Sequence, residues 1–206
     1  PPPFDDDAWG RIGMSGTMVI AGSARGRRMR TAPGLAVRPI LARIKKSLFD
    51  ILRPRIAGTS FLDVFAGTGA VGIEALSQGA ARAAFVEKDS VCVKIIEENL
   101  AALGFAAQGR VMRWEAMGAL RVIEEKFDLI FLGPPYVAPS PDKPRAHLSM
   151  TTPALEAIVA HGRLATGGWV IAQHHAKEAV PEAVGTLMRF RQERYGDSRM
   201  SFFRAA

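Results

Sequence analysis

The stretch SFLDVFAGTGAVGIEAL, residues 60–76 of a chain of 206 residues, decides the fold. It begins with a short apolar run typical of a buried strand, passes through a glycine-rich turn and continues with apolar residues at helical density. Gly67, Gly69 and Gly72 have the spacing G-x-G-x-x-G. Such glycines allow a sharp turn, close approach of a ligand to the backbone and close packing of helix on strand. This order of elements predicts a binding site for an adenosine-containing cofactor.

A carboxylate at the end of the next predicted strand supports this interpretation. Glu87 follows the apolar run 83–86, about twenty residues downstream, where an acidic residue is expected to accept the ribose hydroxyls. Dinucleotide-binding enzymes use the same arrangement. An NAD-dependent oxidoreductase is therefore an alternative that these residues leave open.

Outward from this stretch, strands alternate with helices, which predicts an α/β fold of Rossmann-like type. We expect a mostly parallel sheet with helices on both faces, a C-terminal antiparallel hairpin and a small basic N-terminal extension. Besides the strand in the apolar run that begins at Ser60, strands are predicted at residues 18–21, 83–86, 111–114, 127–132 and 169–172, with the hairpin at 187–195 and 199–204. The helices are predicted at residues 40–52, 70–78, 90–103 and around 119–123, with a last one from Thr152.

The chain divides by composition into three parts. Residues 1–17 lack periodicity and are interpreted as a flexible leader. Residues 18–57 form a basic extension, and residues 58–206 form the cofactor-binding domain. No apolar run approaches the roughly 20 residues of a membrane span, and the start of the chain does not have the pattern of a signal peptide. We therefore expect a cytoplasmic protein without a membrane partner.

The positive charge is concentrated in one region. The chain has a net charge of +7, yet residues 18–55 contain ten basic side chains and one acidic residue, Asp50. Such a concentration predicts a polyanionic partner, with nucleic acid favoured over a merely solvated charged loop. The candidate RNA-binding side chains are Arg25, Arg27, Arg28, Arg30, Arg38, Arg43 and Lys46.

Several remaining residues are interpreted as structural. Cys92, the single cysteine, falls in a helical pattern and is expected to be a packed thiol. His174 and His175 are interpreted as an ordinary strand end, and no metal site is expected there. Trp114 and Trp169 lie in strand patterns and are predicted to belong to the core.

Taken together, several motifs resemble one protein family. They are DVFAGTG at 63–69, Glu87, the Pro134-Pro135-Tyr136 that follows the strand at 127–132, IAGSARGR at 20–27, Arg38-Pro39 and SLFDIL at 47–52. The chain is similar to class I S-adenosylmethionine-dependent methyltransferases that modify exocyclic amines. Within that class it resembles the RsmD-like bacterial 16S ribosomal RNA guanine-N2 methyltransferases, over residues 18 to 204.

The resemblance implies S-adenosylmethionine as the cofactor and assigns residues to it. The backbone of residues 65–69 would hold the amino-acid part with help from Asp63, Glu87 would accept the ribose hydroxyls, and Glu115 with Ala116 would flank the adenine. The implied cofactor-binding set is Asp63, Phe65, Ala66, Gly67, Thr68, Gly69, Gly72, Glu87, Lys88, Glu115 and Ala116.

The resemblance also assigns Gly133, Pro134, Pro135 and Tyr136 to the catalytic site and implies that the protein acts on 16S ribosomal RNA or on the assembling small subunit. We expect a monomer, although no sequence feature addresses the oligomeric state. An aromatic amine is a poor nucleophile because its lone pair is delocalised into the ring. A carbonyl oxygen that accepts its hydrogen bonds favours the reactive geometry, and the Pro134 carbonyl is available because Pro135 has no N–H. Tyr136 would stack on the extruded guanine.

The chain departs from the family pattern at two places. Gly133 stands where the family has an acidic residue, and Ile40, Leu41 and Ala42 stand where polar residues are common. These departures lie beside the expected catalytic and RNA sites. They leave two interpretations open, an active methyltransferase and a weakened or non-catalytic RNA-binding relative.

Overall fold

The computed structural model describes residues 17–31, 40–135 and 150–206. In this part of the chain the helices are α1 (Ala42–Leu52), α2 (Ala70–Ser77), α3 (Ser90–Leu103), α4 (Ala116–Val122) and α5 (Thr151–Ala160). The strands are β1 (Thr17–Met18), β2 (Arg28–Met29), β3 (Ser60–Asp63), β4 (Arg82–Glu87), β5 (Gly109–Arg113), β6 (Phe127–Leu132), β7 (Leu164–His175), β8 (Ala183–Val184), β9 (Leu187–Tyr195) and β10 (Ser198–Ala205).

Eight strands form one sheet in the order β5-β4-β3-β6-β7-β10-β9-β8. Strands β3 to β7 are parallel, whereas β10 pairs antiparallel with β7 and β9, and β8 with β9. The order reverses at β3, which lies between β4 and β6. Ligands bind beyond the carboxyl ends of the strands at such a reversal. The predicted α/β fold, with its parallel sheet and closing hairpin, is confirmed.

The sheet has a hydrophobic cluster on each face. The second cluster packs α4 and α5 against the sheet. The first cluster joins α2 and α3 to the N-terminal hairpin, through Val19 and Met29, and to α1, through Ile44 and Leu48. The basic N-terminal segment therefore shares its core with the helix that follows the glycine-rich turn.

The structure differs from the sequence-based expectations in the lengths of two strands. The strand expected at 18–21 ends at Met18, because the N–H groups of Ile20 and Ala21 bind a side-chain carboxylate rather than a neighbouring strand. Strand β7 is far longer than 169–172, because it pairs with β10 through His175. The short strand β8 was not predicted.

Three single-residue predictions have mixed outcomes. Trp114 is 48% exposed, so its assignment to the core was wrong. Trp169 packs partly buried against the first cluster, and Cys92 is buried as expected.

Among the described residues, no helix combines the length and the apolar character that crossing a membrane requires.

Candidate functional site

The glycine-rich turn has the backbone that its sequence requires. Gly67 and Gly69 have φ angles of 55° and 83°, a left-handed conformation that is costly for other residues. The third glycine serves close packing: a Cβ atom on Gly72 would lie 2.3 Å from the Phe85 ring on β4. The turn therefore runs directly from β3 into α2, with its backbone at the carboxyl edge of the sheet.

Glu87 holds the turn from the neighbouring strand. Its Oε2 accepts a hydrogen bond from the Gly67 N–H at 2.8 Å, and its Oε1 accepts one from the Asp89 N–H at 2.9 Å. A carboxylate oxygen can accept two hydrogen bonds, so each oxygen of this half-buried side chain retains one acceptor position. Two such positions on one carboxylate suit the paired hydroxyls of a ribose.

Asp63 lies beneath the turn and is completely buried. Its Oδ2 accepts a hydrogen bond from the Gly72 N–H at 3.0 Å. Burial raises the pKa of Asp63 to about 7; the Gly72 hydrogen bond opposes this rise, and the nearby charge of Glu87 adds to it. Asp63 therefore changes its protonation near neutral pH and supports the turn from within.

Glu115 begins the next helix at the same edge. Its Oε2 accepts hydrogen bonds from the N–H groups of Met117 and Gly118, at 2.9 and 3.1 Å, and so caps α4. Ala116 is buried, Met117 packs against the second cluster, and Trp114 is exposed immediately before the cap. Small and apolar groups beside a carboxylate can bind the face and the edge of a purine.

The segment Gly133-Pro134-Pro135 follows β6 at this edge as well. Gly133 is half-buried, Pro134 is buried and Pro135 is exposed. The Val64 N–H donates to the Phe131 carbonyl at 3.0 Å, so the end of β6 lies directly beside the strand that leads into the glycine-rich turn. Tyr136, the fourth predicted catalytic residue, lies outside the described residues.

The predicted cofactor residues thus meet along the carboxyl ends of β3, β4 and β5. Phe65 is half-buried, Ala66 and Thr68 are buried, and Lys88 is exposed next to Glu87. The start of the predicted catalytic segment lies one strand away. The sheet therefore offers one continuous edge with backbone donors, carboxylate acceptors and apolar surface.

The basic side chains divide into those that are engaged within the protein and those that are not. Arg27 donates to the Ala102 carbonyl at the end of α3, at 2.6 Å, and Arg30 forms an ion pair with Glu98. Lys46 pairs with Asp50 at 2.6 Å. Arg25, Arg28 and Arg43 are exposed and form no ion pair with another described residue, whereas Arg38 lies outside the described residues.

Lys45 is not part of any exposed basic surface, contrary to its inclusion among the basic residues of this segment. It is fully buried, with its Nζ 2.9 Å from Glu74 Oε2 and 2.9 Å from the Met18 carbonyl. Glu74 also accepts the N–H groups of Ile20 and Ala21, each at 2.9 Å. The helical spacing of Lys45 with the apolar Leu48 and Leu52 is a signal that could have revealed its burial.

Asn99 is a second residue that sequence reasoning missed. This buried side chain of α3 accepts the Arg30 N–H at 2.7 Å and donates to the Arg30 carbonyl at 3.1 Å. It also donates to the Thr68 carbonyl in the glycine-rich turn at 3.3 Å. One amide therefore joins the basic N-terminal segment to the turn, a contact between distant residues that no local pattern indicates.

Comparisons with known proteins agree on one family. The family model described as "Conserved hypothetical protein 95" matches residues 17–204. "Putative rRNA methyltransferase YlbH" of Bacillus subtilis is 34% identical over 181 residues, which are 86% of this chain and 93% of that protein. "Ribosomal RNA small subunit methyltransferase D" of Escherichia coli is 36% identical over 118 residues, 57% of this chain and 59% of that protein.

The solved structures give the same result. The one described as "Putative methyltransferase yhhF from Escherichia coli" superimposes with a TM-score of 0.79 at 26% sequence identity. The superposition covers 92% of this chain and 98% of that one. The similarity therefore extends over the whole sheet and its helices, and is not confined to the glycine-rich turn.

Proposed function

Because this chain belongs to the Conserved hypothetical protein 95 family, to which RsmD-like methyltransferases belong, we propose that it methylates the N2 amine of a guanine in 16S ribosomal RNA. The family resemblance that the sequence indicated is confirmed, and so is the class I methyltransferase fold. The observation that carries the proposal is the meeting of the glycine-rich turn, Glu87, Glu115 and Gly133-Pro134 at one sheet edge. Family membership argues against the NAD-dependent oxidoreductase that glycine spacing alone left open.

The residues at this edge fit S-adenosylmethionine, whose sulfonium supplies an electrophilic methyl group. The acceptor positions that remain on Glu87 would bind the two ribose hydroxyls. The backbone of residues 65–69 would hold the amino-acid part, and Ala116 with Met117 would pack against the adenine. A site that fixes the donor methyl close to the acceptor nitrogen lowers the barrier chiefly through position.

The end of β6 would hold the guanine. The Pro134 carbonyl would accept a hydrogen bond from the N2 amine and so favour the geometry in which the nitrogen lone pair faces the methyl group. The nitrogen of Pro135 carries no hydrogen, so it does not compete for that carbonyl. We assign Tyr136 the role of stacking on the extruded base, as enzymes that modify bases require an unstacked target.

Gly133 favours a second candidate function, that of an RNA-binding relative with weakened or absent catalysis. A carboxylate that accepts a proton or a hydrogen bond is worth on the order of 10²–10⁴ in rate, and glycine offers none. A side chain at this position would also press on the Phe131 ring, which lies 2.9 Å from the place of its Cβ. A substitution at Gly133 therefore requires the Phe131 ring to shift.

A transfer assay separates the two functions. Wild-type protein, Gly133→Asp and Gly133→Asn are incubated with labelled S-adenosylmethionine and small ribosomal subunits that lack the modification. The asparagine variant has the size of aspartate without its charge, so it controls for the displacement of Phe131. We expect transfer by the wild type, with mass mapping placing the methyl group on a guanine N2.

Two other results would change the conclusion. Transfer by Gly133→Asp alone would favour the non-catalytic binder. Transfer by none of the three, while calorimetry still detects S-adenosylhomocysteine binding, would contradict the proposed substrate.

A further inference from the structure

The C-terminal hairpin of β9 and β10 is a second basic surface. Residues 187–206 contain five arginines and two acidic residues. Three of the arginines have partners within the hairpin or its neighbours: Arg189 pairs with Glu182 at 2.7 Å, Arg191 pairs with Glu193 at 2.9 Å, and Arg204 lies over the Phe190 ring. The remaining two, Arg194 and Arg199, form no ion pair with any residue that the structure describes.

These two arginines face each other directly. Arg194 on β9 is the cross-strand partner of Arg199 on β10, and Arg199 is in turn opposite His174 on β7. Directly opposite residues of an antiparallel pair share a face, and like charges in such pairs are destabilising. The Arg194 Nε donates to the carbonyl of Gly196 in the turn, at 3.2 Å. A like-charge pair that has no ion-pair partner within residues 17–31, 40–135 and 150–206 is an arrangement suited to binding an anion from outside.

The arginine pair lies at the carboxyl edge of the sheet, where the predicted cofactor residues meet. Leu132, the last residue of β6, is level with Ala172 on β7. His174 is two residues further along β7, so it is at the level of Pro134. Arg199 is on the next strand, which places the arginine pair on the same edge as the segment assigned to the guanine.

The hairpin turn also adjoins α1, the helix that begins the basic segment of the sequence. The hydroxyl of Tyr195, the last residue of β9, forms a hydrogen bond with the hydroxyl of Ser47 on α1. The Arg43 guanidinium lies 3.9 Å from the place where a Cβ on Gly196 would be. The exposed Arg43 is therefore next to the same turn as the exposed Arg194 and the half-buried Arg199, and it forms no ion pair with another described residue.

We propose that Arg194 and Arg199, together with Arg43, bind phosphate groups of the substrate RNA. These contacts hold the RNA chain on the side of the nucleotide-binding site that lies away from the N-terminal hairpin. This rests on the proposed function, in which the partner is RNA. Guanidinium groups bind phosphate in bidentate geometry. The Arg194–Arg199 pair and the Tyr195 contact with α1 lie on opposite faces of the hairpin, because successive side chains of a strand alternate. The turn at Gly196, which Arg194 binds and Arg43 adjoins, brings the basic groups together at the edge that receives the nucleotide. This position favours an RNA backbone over an acidic protein.

The test measures how RNA binding depends on salt. An unmodified 16S ribosomal RNA transcript is bound to wild-type protein and to Arg194→Gln/Arg199→Gln by filter binding at several KCl concentrations. Each phosphate contact contributes about 0.7–0.9 to the slope of log K against log salt. We expect the double variant to lower the magnitude of the slope by about 1.5 and to bind at least about tenfold more weakly at 0.15 M salt.

The control pair is Arg110→Gln/Arg121→Gln, two exposed arginines remote in the sheet order from the hairpin. Arg110 lies on the edge strand β5, 3.6 Å from Glu125, and Arg121 lies on α4. It removes the same total charge and should leave the slope within about 0.3 of the wild type. Arg194→Lys/Arg199→Lys should retain most of the slope, since lysine preserves the charge. Calorimetric titration with S-adenosylhomocysteine shows that each variant is folded, and Arg194→Gln alone replaces the double variant if that one is not.

Equal slopes for Arg194→Gln/Arg199→Gln and the control pair, or no RNA binding by the wild type, would overturn the inference. Its failure is distinct from failure of the proposed function, because the binding assay requires no methyl transfer. A reduced slope without transfer would support the surface and contradict the enzyme. Methyl transfer by the wild type, together with an unchanged salt slope in the double variant, would support the enzyme and contradict the proposed RNA-binding surface.

Discussion

Asp63 illustrates at the scale of one residue how burial changes the chemistry of a motif. The sequence assigns it to the cofactor, but its carboxyl group is buried under the turn and binds the Gly72 N–H. With its pKa raised to about 7, the side chain is partly protonated at neutral pH. Its first role is therefore to fix the turn, and its charge depends on pH in the range where the protein works.

Asp63→Asn should change how stability depends on pH. In the wild type, between the unfolded pKa of 3.8 and the folded value of about 7, the folded state retains a proton that the unfolded state loses, so stability falls as pH rises. Asparagine carries no proton there, and its amide oxygen can still accept from Gly72. We expect the free energy of unfolding of the variant, relative to the wild type, to rise by about 3 kcal/mol from pH 5 to pH 8.

Urea titrations at pH 5, 6, 7 and 8 measure this difference, which should level off above pH 7. If the free energies of the two proteins run parallel with pH, the carboxyl group of Asp63 is ionised throughout.

At the scale of elements, the buried ion pair between Lys45 and Glu74 connects three elements of the fold. Lys45 comes from α1, Glu74 from α2, and the bonds to Met18, Ile20 and Ala21 bring in the N-terminal hairpin. A buried ion pair stabilises little compared with apolar residues of the same volume, but removal of one partner leaves an uncompensated charge. The network therefore acts by fixing where the hairpin lies relative to the glycine-rich turn.

Single and double substitutions should be strongly non-additive at this pair. Lys45→Met leaves Glu74 buried without its cation and should cost about 3–5 kcal/mol of the free energy of unfolding. Lys45→Met/Glu74→Gln removes both charges. The single oxygen of glutamine can still accept from the Ala21 N–H, although its NH2 then replaces the oxygen that accepts from Ile20. We expect the double variant to be more stable than Lys45→Met by at least about 1 kcal/mol in urea titrations. Additive losses would show that the two side chains do not depend on each other.

Asn99 joins the same hairpin to the turn itself, so its loss should affect both. Asn99→Ala removes the bonds to the partly buried Arg30 backbone and the donor for the buried Thr68 carbonyl, at a cost of about 1–3 kcal/mol. We expect weaker binding of S-adenosylhomocysteine in calorimetry and faster amide hydrogen exchange at residues 19–30. Glu98→Gln is the matched control, because it alters the Arg30 side-chain ion pair on the surface and leaves the backbone bridge intact.

In this experiment the control should bind the cofactor product like the wild type. Equal losses of affinity in Asn99→Ala and Glu98→Gln would assign the effect to the ion pair of Arg30 rather than to the amide.

Elements whose ends depend on local chemistry were predicted well. Helix α3 has the bounds expected, because the Asp89 side chain caps its first N–H groups and Gly104, with a φ of 82°, ends it. Strand β7 was predicted too short, since the glycines at 167 and 168 resemble a loop and its length depends on pairing with β6 and β10. The local sequence of a strand does not indicate which other strands it pairs with.

The candidate site follows the same rule. Glu87 and the glycines could be proposed from the sequence, because their chemistry depends on spacing along the chain. The roles of Asn99 and Lys45 could not be predicted, because each depends on a partner that folding brings near from a distant segment. The arginine pair on the C-terminal hairpin was missed for a similar reason: Arg194 and Arg199 become neighbours only through the register of two strands.

At the scale of the whole molecule, the division into an extension at 18–57 and a domain at 58–206 can be tested through the shared core. Ile44, Leu48 and Leu52 of α1 are 0% exposed, and Phe49 is 2% exposed. Burial of one such side chain is worth about 1.5–3 kcal/mol, so the four together contribute roughly 6–12 kcal/mol. This is comparable to the entire stability of a typical domain, about 5–15 kcal/mol.

A fragment of residues 58–206 should therefore lack a cooperative urea transition and should not bind S-adenosylhomocysteine, whereas a chain of residues 17–206 should do both. The two chains share the absence of residues 1–16, so their difference reports on residues 17–57, which include the hairpin and α1. Circular dichroism in urea and calorimetric titration provide the measurements. A fragment 58–206 that unfolds cooperatively and binds the ligand with the affinity of the longer chain would show that the basic segment is a separable extension. The RNA contacts proposed for that segment could then be removed without loss of the cofactor site, which the shared core argues against.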